Sequence, residues 1–515
     1  MRGTNVRRFA ENSQQCIDQT RDPLRAQSRL NRRGKILVFV AILLPVLCGF
    51  VGLVADSSLL MANYRNLQQV SDAAATAAAM ALMNGDTNAQ ATAAATTCVE
   101  TNNGLANATV VVNIPPSEGP HAGESGYVEV YVSLRTATNF IQVLGASSQQ
   151  TVRTRSVAGY QASTAGSAIT VLEANPPGVT LNLSPLVSLS VTLPPLELGG
   201  LEVLGLGQFS VNGAILDNNQ WGGFDQNGKP AGSATPPPYG AACMPLLPLT
   251  SVAARNIRVV GGVDNPHCYG NYVAGQASPL RCNALPVPDP YASVPAPTVS
   301  ADPVNVVNTY RGSIDVIGIP LISPPTVLNP GIYDWIQVTS GAVIFNPGVY
   351  IIRNVNPLTQ IALAVVAGTV TAKGVTFYIT NSANYSAVTG MPDAADGNTD
   401  PPGGGLGNLL PSVVIASLLG SNYTPITTAS SPFYGLTFYQ RRVDRRPIIL
   451  ADETIILGGT LSGSIYAKYA EVVFAASGTY DLTFVSGSLA IANILQCTLN
   501  PSHLLPAAQD VFLVE

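Results

Sequence analysis

The chain has 515 residues, with 25 basic and 30 acidic side chains and only 11% charged residues. That length exceeds what one compact core organises, so several domains or a repeat architecture must carry it. Nine basic and three acidic residues fall in the first 35, leaving 16 basic against 27 acidic in the rest, a negative balance that excludes nucleic acid as a ligand.

Residues 1–35 are polar, Arg-rich and broken by Pro23, the composition of a disordered tail. Residues 36–55, ILVFVAILLPVLCGFVGLVA, follow without a charged side chain. At about 1.5 Å per residue this run spans the roughly 30 Å hydrocarbon core of a bilayer. It exceeds the about 7–15 apolar residues of a cleaved signal peptide, so it reads as an uncleaved, single-pass anchor. Pro45 lies mid-span, where membrane helices tolerate it. The basic excess before the run, against Arg65 alone in the forty residues after it, places the N-terminus in the cytoplasm and the bulk of the chain outside.

Residues 57–83 contain neither Gly nor Pro and turn Ala-rich, which predicts that the helix continues to Asn84-Gly85. A second Ala-rich helix starts at Asp86-Thr87 and runs to about Glu100. Strands are predicted at 109–114, at 127–134 with Val128, Val130, Val132 and Leu134 on one face, and at 151–158. Residues 56–160 thus read as a helical extension packed on a small antiparallel sheet, a pilin-like plan.

Within this stretch Arg32, Arg33, Gly34, Leu44, Pro45, Asp56, Leu67, Gln68, Asp72, Ala73, Ala74 and Ala75 stand in a definite order and spacing. A basic pair and Gly precede an apolar span with Leu-Pro, then Asp, then a Leu-Gln-x-x-x-Asp-Ala-Ala-Ala helix. This resembles the N-terminal module of TadE/TadG-like proteins of the tight-adherence (Flp) pilus assembly system. The resemblance implies an anchor at the bacterial inner membrane and other pilus-assembly proteins as partners. Prepilin-peptidase substrates carry Glu at the fifth position after the cleaved Gly; counting from Gly34 that position is Phe39, which argues against cleavage. The Asp-x-Ser-x-Ser metal motif of the von Willebrand A domains found in larger TadG proteins is absent.

From residue 167 to about 500 the chain becomes short apolar runs broken by Gly, Pro, Asn and Ser. LNPGIY at 328–333 recurs as FNPGVY at 345–350, and GTLSG at 459–463 is followed by SGTYD at 477–481. Displacements of 17 and 18 residues suit the coils of a parallel β-helix, or solenoid, with Ile336, Val338, Val343, Ile344, Val349, Ile351 and Ile352 in its ladders. A β-sandwich is the competing reading. Segments 283–325 and 381–434 read as excursions from the solenoid, and 501–515 as a C-terminal tail. The TadE/TadG resemblance supports the solenoid through LGQFSVNGAILDNNQ (206–220), PDPYASVPAP (288–297) and FNPGVYII (345–352).

Candidate chemistry is sparse. Cys268 and Cys282 flank a Gly/Pro-containing segment and form the best local disulfide pair, with no CxxC spacing to support a metal or redox site. Asp393, Asp396, Asn398 and Asp400 offer oxygen ligands without EF-hand spacing, as exposed turns often do. Arg441, Arg442, Arg445 and Arg446 form the densest charge outside the membrane, either a binding site for an anionic polysaccharide or a solvated turn. Asp334, Arg353 and Lys373 are the residues that stacked coils would have to gather for polysaccharide cleavage. His121, His267 and His503 are isolated. The expectation is a non-enzymatic envelope protein without metal or cofactor, structural or adhesive in role. The alternative is a tethered β-helix that binds or cleaves carbohydrate.

Overall fold

The computed structural model describes residues 27–162, 165–177, 179–182, 190–193, 198–205, 207–233, 240–244, 250–319, 322–397, 400–401, 406–416, 420–451, 459–493 and 496–514. Most of the predicted basic tail lies outside them. The chain divides into two compact units, Met1–Tyr160 with Val511–Glu515, and Gln161–Asp510.

In the first unit, helix α1 (Gln27–Met83) runs for 57 residues with Pro45 inside it. Residues 27–35, assigned by sequence to the tail, are therefore already helical; no Pro interrupts them. Helix α2 (Asn88–Thr97) opens on a capping box in which Thr87 Oγ1 accepts from the Gln90 amide and Gln90 Oε1 accepts from the Thr87 amide. Strands β1 (Thr109–Asn113), β2 (Tyr127–Ala137) and β3 (Gln149–Ala162) pair antiparallel. The alternating valines Val128, Val130 and Val132 turn one sheet face onto Leu67, Val70, Ala74, Ala75, Ala78 and Ala79 of α1. Small alanines let the helix approach closely enough for Thr154 Oγ1 to donate to the Leu67 carbonyl at 3.1 Å and for Ser71 and Ser156 hydroxyls to meet at 2.9 Å. Each valine buried there contributes about 1.5–3 kcal/mol.

The sequence predicts a tail at residues 501–515. Instead the terminal strand Gln509–Leu513 joins β3 as the fourth member of this sheet, with Val511 against the core and Phe512 edge-on to Tyr127. The physical reason is the free edge of β3, which the short apolar sequence Val511-Phe512-Leu513 covers.

Among the described residues the second unit is mainly β, with a large sheet of 22 strands paired in parallel. One column can be followed in register through its interior: Tyr350, Phe377, Phe438, Ile465, Phe484, Ile169, Ile215, Ile257 and Leu280 each face the next. All are nearly inaccessible, and the rings of Phe377 and Phe438 stack at 5.5 Å. The sequence repeats do mark adjacent strands. Leu328 pairs with Phe345, the displacement of 17, but Gly331 pairs with Tyr350 rather than Gly348, because two residues are absorbed at the intervening turn. Both predicted excursions also contribute strands: Tyr310–Val316 pairs with Gly331–Val338, and Val413–Ile415 with Leu363–Val365.

Spatial order departs from chain order. The chain enters at Ser167–Val171, adds Gln208–Asp217 and then Ser251–Val259 to one side, and crosses to the far side at Tyr310–Val316. From there it winds back until Gly478–Asn493 pairs with Ser167–Val171 and Leu201–Gly205. Phe484 thus sits beside Ile169.

Candidate functional site

Two localities carry the polar side chains that sequence reading singles out, one in each unit. In the first, Arg32, Arg33 and Gly34 lie within α1, their side chains outside the described residues, while Leu44 and Pro45 are exposed on it. Asp56, the first residue past the apolar run, is 3% exposed. Its carboxylate accepts the amide hydrogens of Asn139, Phe140 and Ile141 at 3.2, 2.7 and 2.7 Å, fastening the β2–β3 connection to the helix. Gln68 donates to Asp72 and Ser156 at 2.8 and 3.0 Å, and Ser156 also donates to Asp72, so the Leu-Gln-x-x-x-Asp pattern is a helix-to-sheet fastener. Leu67, Ala74 and Ala75 are its buried apolar neighbours.

Sequence reading missed Glu129, which is fully buried on β2. Burial pushes its pKa up, but Ser117, Asn113 and Arg155 donate to it and bring it down to about 2. An acidic residue among alternating valines was the available signal.

In the second unit the arginine run faces inward. Arg441 holds Asp396 with two hydrogen bonds of 2.6 and 2.8 Å and lies 3.2 Å from Asp393. Arg442 donates to the carbonyls of Tyr291, Ala292 and Val294 and to the Tyr466 hydroxyl. Arg445 bridges Glu173 at 2.6 Å and Asp400 at 2.5 Å, and Arg446 pairs with Asp444. These contacts replace the solvated turn expected from charge density. The partners lie as far as 272 residues away in sequence, beyond the reach of local pattern. Burial raises the pKa of Glu173 to about 7 despite the Arg445 guanidinium beside it. Burial and the nearby Glu202 charge likewise lift Glu471 to about 7.

Arg442 helps secure a strap, residues 283–309, that crosses the sheet between its two sides. Asn218 exchanges hydrogen bonds of 2.8 Å with Val287, and Tyr466 reaches Asp289. Tyr439 donates to Val294 and Tyr385 to Pro297, and the Val349 amide meets the Asn305 carbonyl. A row of tyrosine hydroxyls therefore satisfies the polar groups of an irregular segment.

The remaining sequence candidates separate. Arg353 and Asp334 do meet at 2.9 Å, with Tyr310 donating to the same carboxylate, but Lys373 lies on another ladder opposite Thr424. Asp393, Asp396 and Asp400 are committed to arginines; Asn398 is outside the described residues, among which no cluster of three His, Cys, Asp or Glu side chains is placed to hold a metal. Cys268 and Cys282 are free thiols. Tyr269 pairs with Val252 and Arg281 with Arg258, so the two cysteines flank opposite ends of Ser251–Val259, far beyond the about 7 Å Cα separation a disulfide spans. His121 stacks on Tyr127 and pairs with Glu124, and His503 meets the Tyr434 hydroxyl.

No curated protein and no solved structure matches the chain. Among the described residues one helix is long and apolar enough to cross a membrane, and only 6% of its most apolar window is buried. Residues 34–81, which carry Gly34, Leu44, Pro45, Asp56, Gln68 and Asp72, match the family described as "Putative Flp pilus-assembly TadE/G-like". The N-terminal module of this chain is a TadE/G-like Flp pilus-assembly module.

Proposed function

We propose that this chain is a single-pass protein of the bacterial inner membrane, N-terminus inside, that serves tight-adherence (Flp) pilus assembly as a structural or accessory component. The family match on an exposed apolar helix that continues into a folded core is the observation that carries this reading. Its partners are the bilayer and other pilus-assembly proteins. The body is read as a parallel β-solenoid, supported by the in-register apolar column and the parallel ladders. A non-catalytic role is supported by the arginine run, whose guanidinium groups are spent on the protein's own carboxylates and carbonyls.

The test is protease digestion of sealed spheroplasts producing the full-length protein, followed by carbonate extraction and a deletion phenotype. The expected results are removal of nearly all mass C-terminal to the anchor, retention in the carbonate pellet, and loss of pilus-dependent adherence. Release by a salt wash or unchanged pili in the deletion strain would refute the proposal. The carbohydrate-binding alternative has one observation behind it, the exposed Tyr310 ring with Arg353 over its face and Asp334 on its hydroxyl. Polysaccharide binding abolished by Arg353→Ala would favour it.

A further inference from the structure

We propose that the β2–β3 connection is a second membrane contact, a foot planted in the outer edge of the bilayer with Phe140 as its inserted side chain. This rests on the membrane-spanning reading of α1. Gly52 precedes Asp56 by four residues, about 6 Å down the helix axis, and so lies within the last turn of the apolar run. A Cβ at Gly52 would collide with Phe140 Cδ1, so the Phe140 ring occupies the space a side chain would need. If α1 spans the bilayer, that ring is at hydrocarbon depth. It remains 46% exposed, on a level with the exposed Val51 and Val54, so its outer face meets whatever surrounds the helix there.

The backbone of the connection is prepared for such a place. Amides near lipid must find partners within the protein. Asp56 takes the amides of Asn139, Phe140 and Ile141; the Gly145 amide donates to the Gln142 carbonyl, and the Thr138 amide to that of Ser148. Gln142 Nε2 closes the turn on the Thr138 carbonyl at 2.6 Å. No charged residue occurs from Thr136 to Val152. Asp56 therefore does two things at once, ending the apolar run and paying the amide cost of bringing Phe140 down to it.

The experiment uses the full-length protein in phosphatidylcholine–phosphatidylglycerol vesicles, with or without acyl-chain bromines, and reads the tryptophan emission each variant adds to the Trp221 and Trp335 background. Brominated lipid should cut the emission added by Phe140→Trp to about half, as for an aromatic ring at the membrane interface. Ile141→Trp should be quenched as well, and Gly52→Leu should relieve the quenching of Phe140→Trp by driving the ring off the helix. Phe50→Trp reports the span itself. Quenched Phe50→Trp with unquenched Phe140→Trp and Ile141→Trp would overturn the foot alone, whether water or a second protein covers it. With Phe50→Trp unquenched too, both the span and the foot fall.

Discussion

Replacing Arg445 with Met tests whether the arginine run is structural. The side chain is 8% exposed and bridges Glu173, itself 4% exposed, and Asp400 at the surface. Removing one partner of a buried pair costs about 3–5 kcal/mol because the other charge is stranded. Glu173 can escape by taking a proton. Its folded pKa of about 7 lies above the 4.5 of an unperturbed glutamate, so the folded state binds more protons between these values and stability falls as pH rises through that window. Without Arg445 the carboxyl is pushed higher still. The deficit of Arg445→Met should therefore be near its full size at pH 8 and much smaller at pH 5. For the second unit, about 350 residues from Gln161 to Asp510, an unfolding entropy of about 2.1 cal/mol/K per residue converts 3–5 kcal/mol into a Tm drop of about 4–7 °C. Trp221 and Trp335, both in this unit, report the transition by fluorescence. Adding Glu173→Gln should recover most of the loss at pH 8. Equal losses at pH 5 and 8, or no rescue by the second substitution, would refute the stranded-charge argument.

Asp56→Ala should destabilise the first unit by about 2–4 kcal/mol through three orphaned amides, read as faster hydrogen exchange at Asn139, Phe140 and Ile141. Glu129 has a folded pKa of about 2 against 4.5 unfolded, so its stabilisation is complete above pH 4.5 and disappears as pH falls towards 2; Glu129→Gln should flatten the acid limb of a denaturation profile. Phe438→Ala opens a hole within the apolar column and should cost about 3–5 kcal/mol in the second unit, measured by chemical denaturation. Alkylation after denaturation without reductant should modify both Cys268 and Cys282; protection of the pair would contradict their placement at opposite ends of one strand.

What the sequence discloses depends on how local the cause is. The anchor, the Ala-rich helix and the alternating valines of β2 are short-range patterns, and the helix and strands lie where those patterns put them. The repeat at 328–350 marked neighbouring strands for the same reason, since the chain turns once between them. The seating of Gly478–Asn493 beside Ser167–Val171 has no such signal, because predominantly apolar strands of this kind fit many partners. Nor did charge density around 441–446 disclose its direction, which is fixed by Glu173, Asp393 and Asp396 from distant segments. Asp56 stood out in the motif, but its role needed the coordinates, since its three amide donors lie more than eighty residues later.

The entry of the chain at Ser167–Val171, between Gly478–Asn493 and Gln208–Asp217, sets the timetable of assembly of the second unit. A chain delivered N-terminus first presents Ser167–Val171 long before Gly478–Asn493, the neighbour it waits for, has been made. Until then that central strand has an open flank, the kind of surface that recruits wrong partners, and pairings of such long sequence separation form slowly. A truncation anywhere upstream of Gly478 would leave this wound in the heart of the body instead of shortening one tip. The final strands act as a keystone, and a newly made molecule is vulnerable until they arrive.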